Sequence, residues 1–345
     1  MQRGVTFKYN TWCQHINTRQ GRVSGVTLDS GEVIHADRVV FNGDAQALRQ
    51  GLLGPQAQSA VNMKSPTRSL SAMTWSVYAR TSGFALDRHN IFFQNHYQRE
   101  FEDIFRHHRL PQQPTIYVCA QDRGTDEAPA DKDRLLCLIN APAVGDSHAF
   151  SQETIQACQT QTFSTLQSFG LSIHATPQDL ICTTPQDFAQ RFPATGGALY
   201  GQATHGWMAA FARPYGRSQI PGLYLAGGSI HPGPGMPMAA LSGRMAAEAL
   251  VADLKDAMMA AAEDERFEEA ARLRDELKRL QSTALAIADD PFARQSDVAK
   301  ANLDAEITYS TDDSPSKPIP NKGGRKRLQR ASRPNVPKTF GSRSR

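Results

Sequence analysis

Long apolar runs are missing from this chain of 345 residues. Nowhere do about 18 apolar residues follow one another, the length a helix needs to span a bilayer, so no transmembrane helix is expected. The opening MQRGVTFKYN lacks the apolar stretch of a secretion signal. Cysteine is sparse: Cys13, Cys119, Cys137, Cys158 and Cys182 are scattered, with no Cys-x-x-Cys pair and no Cys/His cluster at metal spacing. They read as reduced cytoplasmic thiols, mostly core filler, and no metal is expected. Charged residues make up 21 % of the chain and are unevenly placed. Lys317–Arg345 holds ten Lys/Arg and no acid, so removing it turns the net charge of +4 into −6. The basic character therefore belongs to the tail. No Walker A loop occurs, which excludes that route to nucleotide hydrolysis.

What is present is a 40 % apolar chain long enough for two domains. Its most informative stretch is Pro221–Leu250, PGLYLAGGSIHPGPGMPMAALSGRMAAEAL. Leu223–Ala226 suits a short buried strand. Gly227 and Gly228 end it, and neither holds a ligand away with a side chain. His231-Pro232-Gly233-Pro234-Gly235 makes a stiff turn, and Pro237 is placed to open a helix over 238–250. A strand, a glycine turn and a helix N-terminus form a corner that favours anions. The same pattern also serves as an ordinary strand–turn–helix crossover.

The particular letters resemble the C-terminal flavin signature of the carotenoid (phytoene) desaturase family of FAD-dependent oxidoreductases. Phe192–Gly201, FPATGGALYG, and His205–Gly222, HGWMAAFARPYGRSQIPG, resemble its hydroxycarotenoid 3,4-desaturase, or methoxyneurosporene dehydrogenase, branch. The resemblance covers residues 4–250. It implies an α/β, FAD-linked oxidoreductase fold: a glutathione-reductase-like FAD domain with a mixed-sheet substrate domain. FAD is the implied cofactor. Gly227 and Gly228 would lie along its pyrophosphate and ribityl chain, His231 in the flavin turn, and the backbone of Pro237, Met238 and Ala239 against the isoalloxazine. Cys13 matches a position whose backbone amide contacts the adenine, although its side chain suits core packing. Such proteins also carry a Gly-x-Gly-x-x-Gly turn near the N-terminus, and this sequence has none. An FAD domain incomplete at its N-terminus and an impaired activity are therefore expected.

Residues 1–54 read as a β-meander and part of the FAD domain. Val5, Phe7 and Tyr9 alternate as in a strand, and Asp29-Ser30-Gly31-Glu32 suits a hairpin turn. Residues 55–205 resemble the substrate domain, and 206–250 return to the FAD domain. Strands are expected over 69–80, 89–93, 115–119 and 135–140, and helices over 97–105 and 152–169. Met73, Trp75, Phe92, Phe93, Trp207 and Phe211 are candidates for lining a polyene tunnel, with core packing as the alternative. His89, His205 and His231 invite catalytic roles, but hydride transfer needs positioning more than an acid or base. Structural roles are therefore expected, with His231 the one catalytic candidate. Arg213 and Arg244 are expected at the surface.

After residue 250 the composition changes. Residues 253–281 suit two helices broken at Glu263-Asp264-Glu265. Ala270, Leu273, Leu277 and Leu280, with Phe267 ahead of them, form a narrow apolar seam. Phe267–Asp275, FEEAARLRD, is similar to the UVR motif of bacterial excision-repair subunits B and C, a helical hairpin that makes protein contacts. A seam on so short a hairpin is expected to pair with a copy or a UVR-bearing partner, independently of the preceding domain. Residues 282–345, poor in apolar residues, read as a disordered basic tail; nucleic-acid contact is expected only there, and weakly. Two functions follow. One is desaturation of an acyclic hydroxy- or methoxycarotenoid, cytoplasmic with peripheral contact at the inner membrane. The other is a protein–protein interaction module in which the desaturase part is a non-catalytic remnant.

Overall fold

The computed structural model of this chain describes residues 5–63, 67–124, 131–203 and 213–288. The chain divides into two units, Met1–Leu280 and Gln281–Arg345, and of the second only the end of one helix is described. Among the described residues no helix is long and apolar enough to cross a membrane, and no group of three or more metal-ligating side chains occurs.

Strands β1 (Cys13–Arg19), β2 (Arg22–Leu28) and β3 (Val33–His35) form an antiparallel meander. Its second turn closes as the Asp29–Glu32 letters predict, with the Gly31 amide on the Leu28 carbonyl and the Leu28 amide on that of Glu32. Val5, Phe7 and Tyr9 are a correction. They lie exposed in chain that is not assigned to a strand, with the Phe7 and Tyr9 rings stacked at 5.9 Å. Alternation makes a strand only where a neighbouring edge supplies hydrogen bonds. Strand β4 (Val39–Phe41) leads to the short helix α1 (Ala45–Arg49), capped by Asp44, whose carboxylate accepts from the Gln46 amide at 2.8 Å.

The second sheet takes in β5 (Ser71–Gly83), β6 (His89–Phe92), β7 (Ile116–Ala120) and β8 (Asp133–Ala141), with helix α2 (Tyr97–Phe105) between β6 and β7. Helix α3 (Gln152–Ser168), strands β9 (Leu171–His174) and β10 (Leu180–Thr183) and helix α4 (Pro185–Arg191) follow. The order is β10-β5-β8-β7-β6, with β9 on the far part of β5. Every pairing described in it is antiparallel, which corrects the expected mixed sheet. One face carries Met73, Trp75, Val77, Phe92, Val118, Cys137 and Ile139 into a core closed by Ile155, Phe163 and Leu166 of α3. Tyr78, Ile91 and Ile181 are exposed on the opposite parity.

Strand β11 (Leu223–Leu225) returns to the first region and pairs in parallel with β4. Helix α5 (Met236–Glu263) then runs without interruption through both the glycine-turn region and the first half of the hairpin. At 28 residues it is about 42 Å long. Glu265, left-handed at φ 61°, turns the chain into α6 (Phe267–Ala288).

This arrangement corrects the expectation of an open seam on a separate hairpin. Leu273 and Leu277 are buried, and Ala270 and Leu280 partly so, against Leu250, Leu254, Ala257, Met258 and Ala261 of α5. The seam closes within the chain because the hairpin's own first half, at the end of α5, supplies the apolar face that covers it. Phe267 takes no part in it and is 67 % exposed. Arg272 on α6 lies 3.7 Å from Asp37 after β3.

Candidate functional site

The glycine corner is held by buried polar contacts. β11 is wholly buried, and the Ala226 amide still bonds the Phe41 carbonyl of β4. Gly227 follows at φ +121°, and a Cβ there would sit 2.8 Å from Asn42 Oδ1. Its amide donates to Ser242 Oγ at 2.8 Å, and Ser242 is fully buried on α5. Ser229 Oγ accepts from the Ala45 amide at the start of α1 at 3.2 Å. The turn is thus fastened to two helices. Gly227 is explained by this close approach.

Gly228 is different. A Cβ there would meet nothing nearer than Pro234 Cα at 3.5 Å, and one on Gly235, at φ +99°, nothing within 4 Å. Packing does not demand glycine at 228, since a Cβ there would make only ordinary van der Waals contact with Pro234. Helix α5 starts here with Pro237 in its first turn and no side-chain cap. The Ala239 amide is taken by the Gly235 carbonyl at 2.8 Å, so it is not a free donor to a ligand. Helix geometry leaves the amides of Met236 and Met238 without intrahelical acceptors, and Pro237 has no N–H. Met236, Met238 and Leu241 display exposed apolar side chains around these amides. Positive helix-end potential, two amides and an apolar rim suit the flat O2/N1 edge of a flavin, which accepts hydrogen bonds and gathers negative charge on reduction. On that observation the corner fits the cofactor.

Arg213 is the residue that sequence reasoning placed wrongly. It is 2 % exposed, and its guanidinium donates to the carbonyls of Tyr200 (3.0 Å), Gln202 (2.9 Å) and Gly228 (3.1 Å). Burial lowers its pKa, with the Asp44 carboxylate acting in the other direction. Asp44 is itself raised by burial, opposed by the Gln46 amide, Arg213 and Arg68. An arginine that satisfies three carbonyls belonging to two separate segments leaves no mark in the sequence. Arg244 is exposed, as expected, and pairs with Glu248.

Gly227, Gly228, His231, Pro237, Met238 and Ala239 thus share one corner. The His231 amide donates to the Pro214 carbonyl at 2.7 Å, its ring lies 4.9 Å from that of Tyr215, and the His231–Pro232 bond is cis. Cys13 lies in β1, with Sγ 3.5 Å from the His15 carbonyl and its side chain against the meander's core. Among the tunnel candidates, Met73, Trp75 and Phe92 are in the core beneath α3, and Phe93 is exposed. His205, Trp207 and Phe211 lie outside the described residues. His89 is exposed, with Nδ1 2.7 Å from Tyr117 Oη.

A buried strand, β11, paired in parallel with β4 and feeding a glycine turn and a helix N-terminus is an arrangement that cofactor-binding oxidoreductases use. The sequence matches the description "Flavin containing amine oxidoreductase" over residues 1–251, and the chain belongs to that family. Residues 248–283 match the UvrB/uvrC motif. The hydroxyneurosporene desaturase of Rubrivivax gelatinosus is 54 % identical over 254 residues, 73 % of this chain and 48 % of that protein. That of Cereibacter sphaeroides is 42 % identical over 253 residues, 73 % and 50 % of the two chains. A 1-hydroxycarotenoid 3,4-desaturase of a Flavobacterium species is 31 % identical over 248 residues, 71 % and 50 %. The chain spans about half the length of these curated relatives. A solved oxidoreductase from Methanosarcina mazei aligns with TM-score 0.39 at 14 % identity over 68 % of this chain and 47 % of its own.

Proposed function

We propose that residues 5–250 furnish the carboxyl-side part of an FAD-dependent desaturase acting on an acyclic hydroxy- or methoxycarotenoid. The observation that carries this reading is the start of α5, without a side-chain cap, beside Gly228, where packing does not demand glycine, in a chain 54 % identical to a hydroxyneurosporene desaturase over 254 residues. Bound flavin supplies the two-electron acceptor for removing hydrogen from a C–C bond. The chain's own part is to receive the flavin edge on the amides of Met236 and Met238, to leave room at Gly228, and to exclude water with Met238 and Leu241. Arg213 keeps the turn in place by holding the Gly228 carbonyl. Peripheral contact with the inner membrane from the cytoplasmic side follows from a substrate that resides in lipid. Any partner of the hairpin, a UVR-bearing protein included, would meet its outer surface, exposed Phe267 among it, rather than the closed seam.

The test is FAD titration of this chain alone and of this chain mixed with the amino-side half of the Rubrivivax gelatinosus relative. The chain alone, without a Gly-x-Gly-x-x-Gly turn, should hold FAD weakly. The mixture should retain FAD and desaturate hydroxyneurosporene. Stoichiometric micromolar binding by the lone chain would remove the incompleteness from this reading, and a mixture that neither binds FAD nor desaturates would remove the reading itself.

A further inference from the structure

A cleft of about 680 Å³ opens where α2 ends against the turns that follow β8. Helix α2 stops because His108 is left-handed at φ 50°, while the Arg106 and His107 amides both bond the Glu102 carbonyl. The turn brings His107 and His108 to the cleft's wall, and His148 comes from the segment after β8. Ile104, Phe105 and Val144 supply apolar lining. Arg68 also lines it, but its guanidinium is engaged by both oxygens of Asp146, at 2.7 Å and 2.5 Å. The cleft's fixed cation is therefore neutralised. What remains is a mixed wall in which the hydroxyls of Thr67, Ser69 and Ser147 and three imidazoles stand among apolar side chains, groups that can each donate to or accept from a hydroxyl.

Two further features say what kind of molecule carries that hydroxyl. Phe105 is the last of three rings at four-residue spacing along α2: Tyr97 and Phe101 lie 4.9 Å apart, and Phe101 and Phe105 6.3 Å apart. This aromatic ladder runs for about 12 Å from the cleft, a surface for a long apolar chain. On the other side Arg68 also lines a smaller cavity with Asp44, Gly201 and Gln202. Gly201 in turn lies against Ser229 and Arg213 of the glycine corner. The cleft thus stands between an apolar track and the proposed flavin site.

We infer that this cleft takes the hydroxylated end of a polyene, its imidazoles hydrogen-bonding the hydroxyl and the Tyr97–Phe101–Phe105 ladder carrying the chain. This rests on the desaturase reading for the identity of the polyene, though not for the existence of the site. His107, His108 and His148 are then specificity-determining residues.

The experiment measures quenching of this chain's tryptophan fluorescence by hydroxyneurosporene, and by the same polyene without its hydroxyl, in detergent micelles. The hydroxylated polyene should bind about five- to ten-fold tighter, the worth of one hydrogen bond. The His107→Ala/His108→Ala/His148→Ala variant should bind both polyenes equally. A double variant that spares left-handed His108 should show an intermediate preference, and serves if the triple variant does not fold. Ser147→Phe, which fills the cleft from an exposed position, should weaken both at least ten-fold. Long-chain dodecanol and inorganic phosphate complete the panel. Dodecanol binding lost with the histidines, without polyene binding, would keep the cleft and discard the carotenoid reading. Polyene binding indifferent to the histidines and to Ser147→Phe would discard the cleft and keep the reading. Competition by phosphate, or no binding of any probe, would overturn the inference.

Discussion

Tyr224 Oη donates to Asp253 Oδ2 at 2.8 Å, joining the strand that precedes the glycine turn to the helix that becomes the UVR-like hairpin. Arg217 meets the other oxygen of the same carboxylate at 2.6 Å. Tyr224 is 1 % exposed, and burial, with Asp253 as acceptor, pushes its hydroxyl up to about 12. The first sequence match, 1–251, and residues 248–280 of the second therefore share one compact unit. Tyr224→Phe should cost about 1–2 kcal/mol, since Arg217 still satisfies the carboxylate. Urea unfolding should show one transition shifted in midpoint; a separate early transition of the hairpin would contradict the joint packing.

The closed seam makes a contrast within α6. Leu277→Ala should destabilise by about 2–4 kcal/mol through loss of buried contact with α5. Phe267→Ala, at a side chain 67 % exposed, should stay within about 0.5 kcal/mol. Thermal melts of the two variants decide it, and sedimentation should show that neither changes the association state. The reverse ranking would mean that the seam is open in solution.

The two glycines should separate structure from binding. Gly227→Ala must hold a side chain at φ +121° with Asn42 Oδ1 2.8 Å from its Cβ, and should cost about 1–3 kcal/mol. Gly228→Ala should leave the melting curve unchanged and weaken FAD retention in the reconstituted mixture. If Gly228→Ala retains FAD fully, the cofactor does not lie against Gly228.

Arg213 offers a sharper stability test. Arg213→Met keeps much of the volume but strands the carbonyls of Tyr200, Gln202 and Gly228. The loss should be about 3–5 kcal/mol in all, since each buried carbonyl left without a donor costs about 1–3 kcal/mol. Chemical denaturation measures it, and a loss below about 1 kcal/mol would place these carbonyls in contact with water.

Asp133 predicts an acid limb. Its carboxylate is 3 % exposed and accepts from Arg123 at 2.7 and 3.0 Å and from Thr81 at 2.6 Å. The Arg123 hydrogen bonds, aided by Thr81 and opposed by burial, lower its pKa. A carboxylate depressed in the fold contributes stability above the ordinary carboxylate range and loses it as pH falls through the folded value. As pH falls through and below the ordinary carboxylate range, the wild-type chain should lose more stability than Asp133→Asn, which starts lower at neutral pH because Arg123 is left unpaired. Parallel pH profiles for the two chains would assign the acid limb to other carboxylates.

Local chemistry determined much of this protein. Alternating residues placed β5 and β8, turn letters closed Leu28–Glu32, and α2 occupies the expected Tyr97–Phe105. The letters Pro221–Leu250 carried the flavin-family kinship, because glycines and prolines at a close backbone approach are dictated locally. Tertiary structure decided which partner each surface found. Periodicity defines a strand's two faces but not which one α3 covers, so Met73, Trp75 and Phe92 are in the core. A seam's spacing does not say whether its complement is another chain or residues 250–261 of the same helix pair. Arg213 owes its burial to three carbonyls brought together only by folding, and long-range contacts of that kind leave no period and no motif in the chain.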